Sequence, residues 1–164
     1  MMINHKILII AFIFSSNFLY SQDYSKEAKN YFENYLSKKD FIDMCYNSFP
    51  SIEECKLVFK KQDAYTYFGF IEDLKRKFKR VNQKSINQSF YKIEIVSGSS
   101  NEIIRDADKN SNGMHGIADK LKPNVIFYAV NVFLNEDDKQ GNYIRYFVKI
   151  NSKWVYFFKP EDAF

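Results

Sequence analysis

The feature that most constrains this chain is a change of hydrophobic period part-way along it. From Tyr24 to about Arg80 the apolar residues recur at three- and four-residue steps, and from Ser89 onward they recur at every second residue. Side chains return to one face of a helix every 3.6 residues and to one face of a strand every two, so the first half reads as helices and the second as strands. Helices first and a run of strands afterwards indicate the α+β class. We expect N-terminal helices packed on one face of a curled antiparallel sheet of about four strands.

Tyr24, Ala28, Tyr31, Phe32, Tyr35 and Leu36 form the first helical stripe. Asp40 restarts the pattern as the cap of a short helix with Phe41, Ile42, Cys45 and Tyr46, which ends by Phe49 because Pro50 follows. Ser51-Ile52-Glu53-Glu54 is a capping box, in which the serine and the glutamate satisfy each other's backbone donors and open a third helix. After Asp63 a further stripe runs through Tyr67, Ile71, Leu74 and Phe78 to about Arg80. The expected strands are 89–97, 124–134, 143–150 and 153–158, the last two joined by a tight turn at Asn151 and Ser152.

Upstream of the first helix, His5 and Lys6 precede an apolar run from Ile7 to Phe14 and the polar Ser15, Ser16 and Asn17. This is the three-part layout of a cleavable export signal. The apolar run is about 8 residues, short of the roughly 20 that span a bilayer, so we expect no transmembrane anchor after processing. Small Ser21 with Leu19 two positions before it places the cut after Ser21 or Gln22. The expected organisation is therefore a signal peptide over 1–22 and a single α+β domain over 23–164, exported to the periplasm or secreted.

The core of that domain should be built from rings, since 17 Phe, 12 Tyr and one Trp make up 18% of the chain. The 24 Lys and Arg against 20 Asp and Glu leave a formal charge of only +4, which argues against a nucleic-acid partner.

The order of a helical layer, an isolated strand and a final run of strands ending in Ile150-Asn151-Ser152-Lys153-Trp154-Val155 resembles the cystatin-like and NTF2-like group of small exported bacterial domains. The resemblance implies helices against a curled sheet. It transfers no catalytic residue, because members of that group place their functional residues differently.

Five candidate constellations remain. Cys45 and Cys55 flank Pro50 and are spaced for a disulfide in an oxidising compartment. Asp108, Asn110, Asn112, Gly113 and Asp119 fall at positions 1, 3, 5, 6 and 12 of an EF-hand-type loop, which makes calcium the one cofactor to consider. It would be a weak site, because Asp119 replaces the longer glutamate; the alternative is a polar loop capping the segment that bears Met114, Ile117, Ala118 and Leu121. Lys75, Arg76, Lys77, Lys79 and Arg80 form a basic cluster, either countering the negative end of a helix dipole or meeting an anionic partner. Tyr128, Tyr146, Trp154 and Tyr156 could line an aromatic pocket or simply form core. His115, the one histidine left after processing, is the only one a histidine-based zinc site or triad could use and reads as incidental, and the adjacent carboxylates Glu53 and Glu54, Asp137 and Asp138, and Glu161 and Asp162 read as solvated.

With no catalytic residue assigned, the leading expectation is a non-catalytic binding or accessory module for a protein, peptide or envelope component. A small-molecule carrier using the aromatic pocket, and a hydrolase whose carboxylates are assembled by folding, are the alternatives.

Overall fold

A computed structural model describes residues 24–36, 45–78, 91–107, 113–139 and 141–164. The expected signal peptide, the Asp40 cap, Lys79, Arg80, Asp108, Asn110 and Asn112 lie outside these residues. The first helix, α1, runs Ser25–Leu36, followed by a single helical turn at 45–47. Helix α2 spans Ile52–Val58 and α3 spans Lys61–Phe78. The strands are β1 Lys92–Ser99, β2 Ile126–Phe133, β3 Asn142–Ile150 and β4 Lys153–Tyr156. A short helix α4, Ser100–Arg105, leaves β1 directly, and 3₁₀ segments occupy Gly113–Lys120 and Pro160–Ala163.

The four strands form one antiparallel meander in the order β1-β2-β3-β4, which gives the α+β class expected from the period change. Asn151 and Ser152 both adopt positive φ, 45° and 65°, which matches the twist of a two-residue hairpin turn between β3 and β4. The β2–β3 register slips between Tyr128 and Val130, so β3 carries an extra residue at Arg145 and Tyr146. Such a bulge bends a strand and raises its twist.

Strand residues alternate between faces, and both faces of this sheet carry apolar side chains. Tyr128, Phe147 and Tyr156 stand in one cross-strand row, and α1 packs on their face through Phe32, whose ring lies 4.5 Å from that of Phe147 and 5.7 Å from that of Trp154. Val155 and Phe157 point the other way, where Phe157 meets Phe59 at 5.9 Å and Tyr67 at 5.7 Å. Helices therefore cover both faces, which corrects the expectation of a single covered face. The reason is the fully apolar end of β4, which would otherwise expose Val155 and Phe157 to water.

Two local features explain how the helical half is divided. The capping box at Ser51 is present: Ser51 N–H donates to Glu54 Oε2 at 2.7 Å, and Glu54 N–H donates back to Ser51 Oγ at 3.3 Å. Between α2 and α3, Phe59 is extended and pairs with Leu121 as an isolated antiparallel bridge. Lys60 N–H donates to Lys120 O and Lys122 N–H to Val58 O, both at 2.8 Å. That tie fastens the helical half to the segment before β2 and buries Phe59 and Leu121 together.

Candidate functional site

The two edges of the sheet differ. Along β4, Tyr156 N–H donates to Ser48 O at 2.7 Å, so the segment before α2 occupies that edge. Phe49 reinforces it by stacking on Tyr156 with ring centroids 5.9 Å apart. At the other side β1 is the last strand, and among the described residues no strand pairs with its outer edge. An open edge presents backbone donors and acceptors to any extended chain that can approach.

The side chains of β1 define what that edge offers. Ile93 and Ile95 turn towards the α1 face, Ile93 being buried and Ile95 partly so. Lys92, Glu94 and Val96 turn to the opposite face and are exposed, Val96 at 49%. Beside them a Cβ added at Gly98 would meet nothing within 4 Å, so this end of the sheet has open space over it. Lys92 Nζ pairs with Glu94 Oε1 at 2.6 Å and lies 5.1 Å from the centre of the Phe133 ring. Tyr91, 57% exposed, and Ile104 of α4, 39% exposed, add apolar surface near the two ends of the strand. The edge is thus apolar in part and electrically balanced.

The structure places the other candidates as follows. Cys55 is buried on α2 and Cys45 is partly buried in the turn at 45–47, and both are free thiols in the structure. Burial pushes the Cys45 thiol far up, and burial, with Glu54 nearby, pushes Cys55 up to about 12. Both are therefore protonated and weakly nucleophilic near neutral pH.

Tyr128, Trp154 and Tyr156 are core residues. Tyr128 and Trp154 meet edge-on at 5.1 Å, and Tyr156 stacks on Phe147 at 4.6 Å. Tyr146 is not with them: it lies across the sheet, edge-on to Phe127 at 6.0 Å. The bulge at Arg145 and Tyr146 and the alternation of β3 separate it from the other three.

Asp119 lies in the 3₁₀ segment, exposed, and its carboxyl is held below the usual range chiefly by the hydrogen bond from Lys120, 2.6 Å away. Gly113 has a φ of 53°, as the calcium-loop and capping readings both require of that glycine. Among the described residues no group of three or more His, Cys, Asp or Glu side chains is arranged to hold a metal ion. Of the basic cluster, Lys75 and Arg76 pair with Glu72 and Asp73 one turn earlier on α3, and Lys77 is exposed. Those two acids offset the positive charge that the sequence concentrates there. No helix among the described residues is long and apolar enough to cross a membrane.

Sequence reasoning missed α4 and with it the environment of β1. Ser99 accepts from Glu102 N–H at 3.2 Å while Ser99 N–H donates to Glu102 Oε2 at 2.9 Å, a second capping box. The Ser99-Ser100-Asn101-Glu102 spacing carries the same signature as Ser51 to Glu54 and could have revealed it.

Comparison of the chain with known protein families, with curated proteins and with solved structures finds no match.

Proposed function

We propose that this chain is an exported, non-catalytic binding module and that its docking site is the outer edge of β1. The observation that carries the reading is the contrast between the edges: Ser48 occupies that of β4, while β1 ends the sheet with Val96 exposed beside it. An extended segment of a partner protein would add as a fifth strand, with main-chain hydrogen bonds supplying affinity and the alternating side chains supplying selectivity.

The chemistry of the reactive side chains supports a binding role. The two thiols are held protonated by burial. The carboxylates with displaced pKa values, Glu54, Glu102, Asp119 and Asp138, are engaged by neighbouring Ser, Asn or Lys groups in caps and turns. Export rests on the signal-like 1–22 segment alone.

Titration with an extended peptide of alternating threonine and valine, followed through the protein's backbone amide resonances, tests the docking site. The reading expects shifts concentrated on 91–99. Shifts concentrated on α3 or the 3₁₀ segments, or none at saturating peptide, would overturn it.

A further inference from the structure

The charge order along β1 identifies a specific occupant. Lys92 and Glu94 are two residues apart, project from the same face and already pair with each other at 2.6 Å. Consider a second, identical strand laid antiparallel along the open edge. A two-fold axis perpendicular to the sheet keeps each face on its own side, and the pleat then requires residues of equal parity to stand opposite one another. Only registers centred on a residue satisfy this.

When the axis passes through Ile93, Lys92 stands opposite the partner subunit's Glu94, and Glu94 opposite the partner subunit's Lys92. The two intrachain pairs and the two interchain pairs close a square of alternating charge. Sliding the partner by two residues in one direction brings Glu94 opposite its own copy, and in the other direction brings Lys92 opposite its own copy. Like charges directly opposite destabilise a strand pair and unlike charges support it. The sequence of β1 therefore selects one self-pairing register and penalises both of its neighbours.

The remaining positions agree with that register. Ile95, only partly covered by its own core, faces the added strand on the α1 side. Ile93, already buried by its own core, stands at the axis on the α1 side. The partner adds no net charge to the edge, since each β1 carries one Lys and one Glu.

We propose that the partner docked on β1 is a second copy of this chain, paired β1 to β1 through Ile93 so that the two four-stranded sheets continue as one of eight strands. This rests on the reading of β1 as a docking edge. It is an isologous contact in which one patch is complementary to itself, the arrangement that closes a dimer rather than a filament.

Sedimentation equilibrium of the purified protein and of three variants tests it. The expected results are a two-chain mass for the native protein, dimer dissociation constants weakened by roughly tenfold in both Lys92→Glu and Glu94→Lys, and recovery in the double swap K92E/E94K. Both side chains are exposed, and a thermal melt of each variant verifies that the fold is retained. A one-chain mass across the concentration series overturns the dimer, as does a dimer indifferent to the single reversals or unrestored by the double swap. The threonine–valine titration separates the two levels. A monomer whose 91–99 amides respond to the peptide keeps the docking edge and discards self-pairing, whereas a monomer with no such response discards both.

Discussion

The Lys149 ammonium lies 4.9 Å from the centre of the Trp154 ring and 5.9 Å from that of Tyr24, while pairing with Glu27 on α1. Only 10% of the lysine side chain is exposed, so its aliphatic stem is packed and its charge is held against ring faces. Tyr24 N–H also donates to Tyr128 Oη at 2.9 Å, so the start of α1 is fastened to the sheet at two points. Replacing Lys149 by alanine removes the cation–ring contacts, the ion pair and the packed stem, and should cost about 2 kcal/mol in urea unfolding. Glu27→Gln, at a half-exposed position, should cost less than about 1 kcal/mol. Equal losses in the two variants would show that the ion pair, rather than the rings, holds the lysine.

The two capping boxes should make α2 and α4 sensitive to acid. For Glu54 burial opposes ionisation, but hydrogen bonds from Ser51 and the proximity of Lys153 outweigh it and leave the carboxyl below its ordinary range. For Glu102 the Ser99 backbone donor is the main cause of a shift in the same direction. A carboxyl whose pKa is lower in the folded state adds stability above its unfolded pKa and loses it as the pH falls through the folded value. Stability should therefore decline as the pH drops below about 4.5, and Ser51→Ala or Ser99→Ala should shallow that decline while costing about 1 kcal/mol at neutral pH. Denaturant titrations at several pH values measure both effects, and an unchanged acid slope in the alanine variants would contradict the assignment.

Cys45 and Cys55 should resist alkylation in the folded protein at neutral pH and react at two sites once it is unfolded, with no reductant present. Mass spectrometry after iodoacetamide reads the number of adducts directly. Two adducts confirm free thiols; none without reductant would show that the pair bridges.

Gly141 is required by the closeness of β2. A Cβ there would overlap Asn131 Oδ1 and lie 2.8 Å from the Val132 carbonyl oxygen, and Asn131 is buried. Gly141→Ala should cost about 1–3 kcal/mol. Adding Asn131→Ala should recover only part of that loss, because the Val132 backbone cannot withdraw as a side chain can. Full recovery in the double variant would place the whole conflict on Asn131.

The elements that local grammar controls were legible in the sequence. The change of period separates helices from strands, Asn151 and Ser152 make the expected turn, and Ser51 with Glu54 starts α2 as read. What failed depended on contacts distant in sequence. No Pro or Gly marks the break between α2 and α3, which the sequence places near Asp63 and the structure at Phe59, extended because it pairs with Leu121. In β3 a simple alternation would group Ile144 with Val148 and Ile150, but the bulge at Arg145 and Tyr146 intervenes, and Phe147 with Lys149 faces α1. A strand buried on both faces loses the polar alternation that would announce its orientation. The sequence leaves the aromatic candidates open between pocket and core, since composition cannot show that α1 covers Trp154. The open edge was equally hidden: Lys92 and Glu94 could be read as the polar side of a strand, but only the strand order shows that among the described residues no strand pairs beyond them.

Amide hydrogen exchange along β1 tests the docking edge most directly. In dilute protein the account predicts alternation, with the amides bonded to β2 slow and the outward ones fast. The outward ones should become slow when the edge is filled by a second chain at high concentration or by the threonine–valine peptide. Outward amides that are already slow in dilute protein, or that stay fast under both conditions while other segments become protected, would contradict it.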